Sequence, residues 1–191
     1  MTSADEFSVR FWGVRGSIAC PGPETVKYGG NTPCIEIRCG ERVLMFDAGT
    51  GAREMGDRLI AEGISEADLF LSHTHIDHIN GFPFFSFAFN PQNRLRVWAG
   101  HLDPGLTVEG VLRSFMSDPL FPVPVDTLKG CVALKDFKAG ETLTPHPGTT
   151  IKTTHLNHPN GATGYRVEFG DKVICYVTDT EHVLGSPDQN I

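Results

Sequence analysis

The chain has 191 residues, with 16 Lys and Arg against 23 Asp and Glu, for a formal net charge of −7. That length suits one domain spanning residues 1–191, and an apolar fraction of 40% supports a real core while falling well short of a membrane protein's. An acidic chain with a pI near 5.5 argues against a nucleic-acid partner gripped through its phosphates, but not against a small phosphorylated substrate whose charge is met by bound cations.

Met1 to Glu6 is polar and acidic and does not read as a signal peptide. No apolar run reaches membrane-spanning length, so a cytoplasmic location with reduced thiols is expected. The five cysteines fit no zinc-ribbon spacing, and Cys34 and Cys175 lie in apolar runs that predict core positions.

Phe7 to Trp12 alternates as a first strand. Gly13 to Gly30 is rich in Gly and Pro and predicts a long loop, whose Arg15 and Ser17, with Asn31 just beyond, are candidates to meet a substrate anion or simply to shape a turn. Cys34 to Cys39 and Arg42 to Phe46 predict two strands joined at Gly40-Glu41. Asp47-Ala48-Gly49-Thr50-Gly51 follows, then a helix from Ala52 to Ala61 with Met55, Leu59 and Ile60 at helical spacing.

Asp68 to Ser72 reads as a buried strand that runs directly into His73-Thr74-His75-Ile76-Asp77-His78. Three imidazoles and a carboxylate within six positions are costly after an apolar run unless they are paired or metal-bound. Neutral nitrogen and anionic oxygen are what zinc, manganese or iron take. Alternate residues of an extended segment share a face, so His73 and His75 can point together, while Asp77 and His78 can face a second, adjacent position.

Phe82 to Phe89 holds five phenylalanines and predicts an all-apolar helix, either core or a wall facing substrate. Arg94 to Ala99 is a strand, and His101 after it reads as a surface histidine. Thr107 to Met116 is an amphipathic helix. Asp118 to Asp126, with three prolines, is irregular. Cys131 to Phe137 is a strand; His146, between Pro145 and Pro147, reads as exposed. Ile151 to His155 is strand-like, and Ala162 to Phe169 with Lys172 to Thr178 forms a hairpin. Asp179 stands at its exit, followed by His182, which faces substrate as a proton donor or is an ordinary loop residue.

His73-x-His75-x-Asp77-His78 resembles the signature of the metallo-β-lactamase superfamily. The tail Asn80-Gly81-Phe82-Pro83 resembles the branch that holds ribonuclease Z and related phosphodiesterases, and Phe11 to Ser17 and Gly29 to Cys34 resemble a bacterial group of hydrolases within it. The resemblance implies an α/β fold, a four-layered αβ/βα sandwich. It implies His73, His75 and His158 on a first metal, with His155 as the alternative to His158. It places Asp77 and His78 on a second metal, Asp179 bridging both, and Asp47 bracing the site from behind, a role compatible with capping the next helix. Asp77 is also a candidate to position the attacking water. Two divalent ions, zinc first and manganese or iron as alternatives, would acidify that water and favour hydrolysis of a small phosphodiester such as a cyclic nucleotide; thioester or lactam hydrolysis and metal binding without turnover are the competing readings. Members usually continue past this length through further strands, a helix and one more histidine. Its absence here implies a shortened chain, a homodimer in which a second copy supplies the ligand, or a weak second site.

Overall fold

The structure, a computed structural model, describes residues 6–182. The acidic start read as lacking a signal peptide lies mostly outside that range, and the tail beyond His182 wholly so. Among the described residues ten strands form two sheets. The first holds β1 (Phe7–Gly13), β2 (Cys34–Cys39), β3 (Arg42–Phe46), β4 (Glu66–Leu71), β5 (Arg94–Ala99) and β6 (Cys131–Asp136), side by side in chain order. β1 to β3 are antiparallel; β3 to β6 are parallel. The second sheet is an antiparallel meander of β7 (Thr142–His146), β8 (Thr149–Leu156), β9 (Ala162–Phe169) and β10 (Lys172–Tyr176).

Parallel neighbours need crossovers, and these carry the helices. α1 (Ala52–Ala61) joins β3 to β4, the single turn α2 (Ile76–Ile79) lies between β4 and β5, and α3 (Val108–Phe115) lies between β5 and β6. Strand alternation divides the apolar residues between two cores. Val43, Met45, Leu69, Leu71 and Val97 face the helices and meet Met55, Leu59 and Leu112. Leu44, Phe46 and Phe70 face the second sheet and meet Ile151, Tyr165 and Val167. The layers are helices, sheet, sheet. Among the described residues no helix covers the outer face of the four-stranded sheet, so three of the four expected layers are described. No helix among them is long and apolar enough to cross a membrane.

Several expectations are corrected. Phe82 to Phe89 is two 3-10 turns, Phe82–Phe84 and Ser86–Phe89, not a helix. Phe82, Phe85 and Phe87 are buried, whereas Phe84 is exposed and meets Phe121 edge-on at 5.6 Å. Cys175 is exposed, because the inward positions of β10 fall to Ile174 and Tyr176. β7 is a strand despite Pro145; it is the edge of its sheet, where a missing N–H costs no ladder bond.

His146, expected to be exposed, closes the space between the sheets. Its Nε2 donates to Asp68 Oδ2 at 2.7 Å, and Asp68 also accepts from Arg96 Nε and Nη2 and from Trp98 Nε1 at 2.7–2.9 Å. Asp68 has no exposed surface. Burial pushes its pKa up, but the bonds from Arg96, His146 and Trp98 prevail and bring it down to about 2. A carboxylate depressed this way contributes stability above its unfolded pKa and loses it as pH falls through the folded value. About 2 kcal/mol should therefore vanish between about pH 4 and pH 2. Urea unfolding of Asp68→Asn should lack that loss; an identical acid profile would place the effect elsewhere.

Candidate metal centre

The parallel pair β3 and β4 delivers the first half of the centre. Asp47 follows β3 with φ 59, its N–H donating to Phe70 O at 3.0 Å. Its carboxylate is wholly buried and takes four hydrogen bonds: from Ser72 N and Oγ at 2.7 Å each, His78 Nδ1 at 2.8 Å and Tyr176 OH at 2.7 Å. The glycines beside it serve close approach. A Cβ on Gly49 would stand 2.5 Å from Asp77 O, and one on Gly81 would stand 1.9 Å from Gly49 O. Two loops thus pack backbone to backbone, and α2 presents Asp77 and His78, both buried, where its one turn begins.

The second half arrives from the other sheet. Thr163 N donates to Ser72 O at 2.8 Å and Tyr165 OH to Leu71 O at 2.6 Å, tying β9 to the end of β4. The β8–β9 loop then carries His158 over His75. Asn157 and Glu181 exchange two bonds, Glu181 N to Asn157 O at 2.6 Å and Asn157 Nδ2 to Glu181 O at 2.8 Å, which clamp the segment bearing Asp179 to that loop. Asp179 has φ 36 and accepts from Thr178 Oγ1 at 2.8 Å.

Two groups of possible ligands result: His73, His75 and His158, and His73, His78 and Asp179. His75 Nδ1 lies 3.0 Å from His73 Nε2 and 3.1 Å from His158 Nε2. Two nitrogens on one tetrahedral ion sit about 3.4 Å apart, so the spacing is near that of a closed site. Asp179 Oδ2 stands 3.6 Å from His73 Nε2, 3.4 Å from His78 Nε2 and 3.7 Å from His158 Nε2, between the two groups. Asp77 is beside the second group, its Oδ2 3.5 Å from His78 Nε2.

These residues fit divalent cations. His78 gives its Nδ1 proton to Asp47, which leaves Nε2 buried, without a hydrogen-bond partner, facing a carboxylate from 3.4 Å. In the neutral ring that contact sets a lone pair against a carboxylate, which a proton or a metal cation between them relieves. Burial alone would lower the pKa of His78, yet the bond and charge of Asp47, then the charges of Asp77 and Asp179, raise it. Burial and the His78 charge lower His73 to about 3, so it is neutral, the form that ligates, at physiological pH. Burial raises the pKa of Asp179, but Thr178 and the three histidines lower it overall. The far nitrogen of His75 lies 3.4 Å from Asn160 Oδ1, an acceptor that would orient the ring.

The remaining candidates fall outside the two groups. Ser17, at φ 68, donates its N–H to Asp77 Oδ2 at 2.8 Å, so its loop reaches the centre. Arg15 is exposed, its N–H bonded to Asn31 O at 2.9 Å. The Asn31 carboxamide is occupied within the loop, accepting from Thr50 Oγ1 at 3.1 Å and donating to Trp12 O at 3.4 Å. His182 is exposed, and His155 stands outside both groups. His101, expected at the surface, is 7% exposed and bonds Thr74 Oγ1 at 3.1 Å, between His73 and His75; burial lowers its pKa to about 4. Ser72, Tyr176 and Asn160 were not singled out either. Only Asn160, in an Asn-Gly turn with φ 65, carries a local signal.

The sequence pattern described as a β-lactamase superfamily domain matches residues 42–189. A ribonuclease Z of Picrophilus torridus is 27% identical over 137 residues, 71% of this chain and 36% of that protein. A ribonuclease Z of Haloarcula marismortui is 24% identical over 166 residues, 86% of this chain and 48% of that protein. The chain thus spans less than half the length of either. Among solved structures, the metallo-β-lactamase fold protein YhfI from Bacillus subtilis superimposes with a TM-score of 0.63 at 19% identity, covering 90% of this chain and 62% of that one.

Proposed function

The chain belongs to the β-lactamase superfamily, and from that premise we propose that it is a metal-dependent hydrolase acting on a small phosphodiester. The observation that carries this reading is Asp179 Oδ2, set 3.4–3.7 Å from nitrogens of both histidine groups, as a carboxylate shared by two ions would be. His73, His75 and His158 would hold one ion, and His78, Asp77 and Asp179 the other, with zinc the first candidate. Such ions, when bound, supply an acidified water and charge to stabilise the transition state.

The chain's own residues would do the rest. Asp47 holds His78 by its Nδ1 proton, which fixes the ring. The Ser17 N–H fixes the Asp77 carboxylate, which can then orient a water. Arg15, two residues before Ser17 in the loop that reaches Asp77, is the candidate to meet a phosphate oxygen, and His182 is the candidate to protonate the leaving oxygen. The ribonuclease Z relatives support phosphoester chemistry. The net charge of −7 favours a small substrate over RNA.

Metal-loaded full-length protein should bind two ions per chain and turn over chromogenic phosphodiesters faster than thioesters, lactams or a precursor transfer RNA. Turnover confined to a thioester or lactam would reject the phosphodiester assignment. One ion and no turnover of any substrate would leave a binding domain.

A further inference from the structure

Beside the centre lies a groove of about 430 Å³ that the hydrolytic machinery does not use. Thr74 and Ile76 line it together with Leu106, Leu120 and a wall from α3 that includes Val111 and Phe115. None of its lining residues is charged. The wall is fixed, because α3 buries Val108 and Leu112 completely and Val108 N donates to Asp136 Oδ1 at 2.8 Å. Ile76 is 64% exposed, Leu106 58% and Leu120 77%. Water-facing aliphatic side chains gathered at one opening gain nothing from folding.

The groove's position says what enters it. Thr74 and Ile76 are chain neighbours of His73, His75 and Asp77, so a group resting on the exposed Ile76 lies within one residue of His75 and Asp77, candidate ligands of the two ions. We propose that this groove is the subsite for a neutral alkyl or aryl substituent of the ester substrate, so that the phosphodiester carries charge at the centre and an apolar arm over Ile76 toward Leu106 and Leu120. The assignment rests on the phosphodiesterase reading. A sugar or a second phosphate would lose its water there without gaining a partner. A second protein copy is a poor occupant, since a stable interface covers about 800 Å² on each partner and this opening offers only a few side chains.

The test uses metal-loaded full-length protein and p-nitrophenyl phosphodiesters whose second ester group is methyl, butyl or hexyl, alongside calorimetric binding of methyl-, butyl- and hexylphosphonate. The parent should gain about three- to fourfold in kcat/KM, and in phosphonate affinity, per added methylene. Leu106→Asp and Leu120→Asp, both at exposed positions, should flatten that dependence. Equal values across the series in the parent, or a dependence that survives in both variants, overturns the subsite. No hydrolysis of any ester, with a phosphonate dependence that the variants abolish, keeps the subsite and removes the phosphodiesterase reading. No hydrolysis and no dependence removes both.

Discussion

Asp179→Ala should weaken metal binding at both positions at once. Its Oδ2 stands 3.6 Å from His73 Nε2 and 3.7 Å from His158 Nε2 on one side and 3.4 Å from His78 Nε2 on the other. A carboxylate has lone pairs enough for two cations, whereas an imidazole nitrogen has one and serves a single ion. The His73 ring is 1% exposed, and burial with the neighbouring His78 charge brings its pKa down to about 3, so its lone pair is free for one cation at neutral pH. Elemental analysis should therefore read well below one ion per chain for Asp179→Ala, but about one for His75→Ala or His78→Ala. Loss of a partner behind a metal ligand costs roughly 10–100-fold, so removal of a shared ligand should cost about 10³-fold or more in hydrolysis. Circular dichroism would separate this from unfolding. Two ions retained by a folded Asp179→Ala protein would mean that the two positions do not share this carboxylate.

The unequal legibility of the centre follows from how local each contact is. His73, His75 and His78 stand out because ionisable groups crowd the end of an apolar strand, a pattern contained within ten residues. The strands and helices around them were legible too: Cys34–Cys39, Arg42–Phe46, Ala52–Ala61 and Arg94–Ala99 fall where periodicity and turn residues put them. His158 and Asp179 lie some 80 and 100 residues further on, and only the family resemblance singles them out. Once folded, their placement has a plain cause, since Tyr165, Thr163 and the Asn157–Glu181 clamp dock the second sheet on the first. His101 and His146 were misread for the converse reason. Each sits among loop-like neighbours and is buried by a partner far away in sequence, Thr74 for one and Asp68 for the other. Cys175 failed differently: Val173 to Tyr176 is apolar at every position, so alternation could not say which side faces the core.

Asp47→Ala should cause the largest loss of stability in the metal-free protein. Four donors from three separate places converge on this one carboxylate: Ser72 N and Oγ at the end of β4, His78 Nδ1 on α2 and Tyr176 OH on β10. The donors of Ser72 and His78 have no water to turn to, because Asp47, Ser72 and His78 are all fully buried. Each stranded donor costs about 1–3 kcal/mol, and the costs do not add, since the pocket can partly collapse. Breaking a buried charged contact from one side typically costs about 3–5 kcal/mol, which is the loss expected in urea unfolding. The backbone adds to it: Asp47 holds φ 59, a conformation that Asn tolerates and Ala resists. Asp47→Asn should therefore fall between parent and Asp47→Ala, keeping one oxygen for the Ser72 donors while its amide confronts the others. Tyr176→Phe, which removes a single donor together with its bond, should cost least. The metal readout should divide the same way: with His78 no longer held by Nδ1, the second position should weaken by roughly 10–100-fold, while the group of His73, His75 and His158 keeps its ion. Equal unfolding curves for Asp47→Ala and the parent would show that these donors find other acceptors and that Asp47 does not join the two sheets.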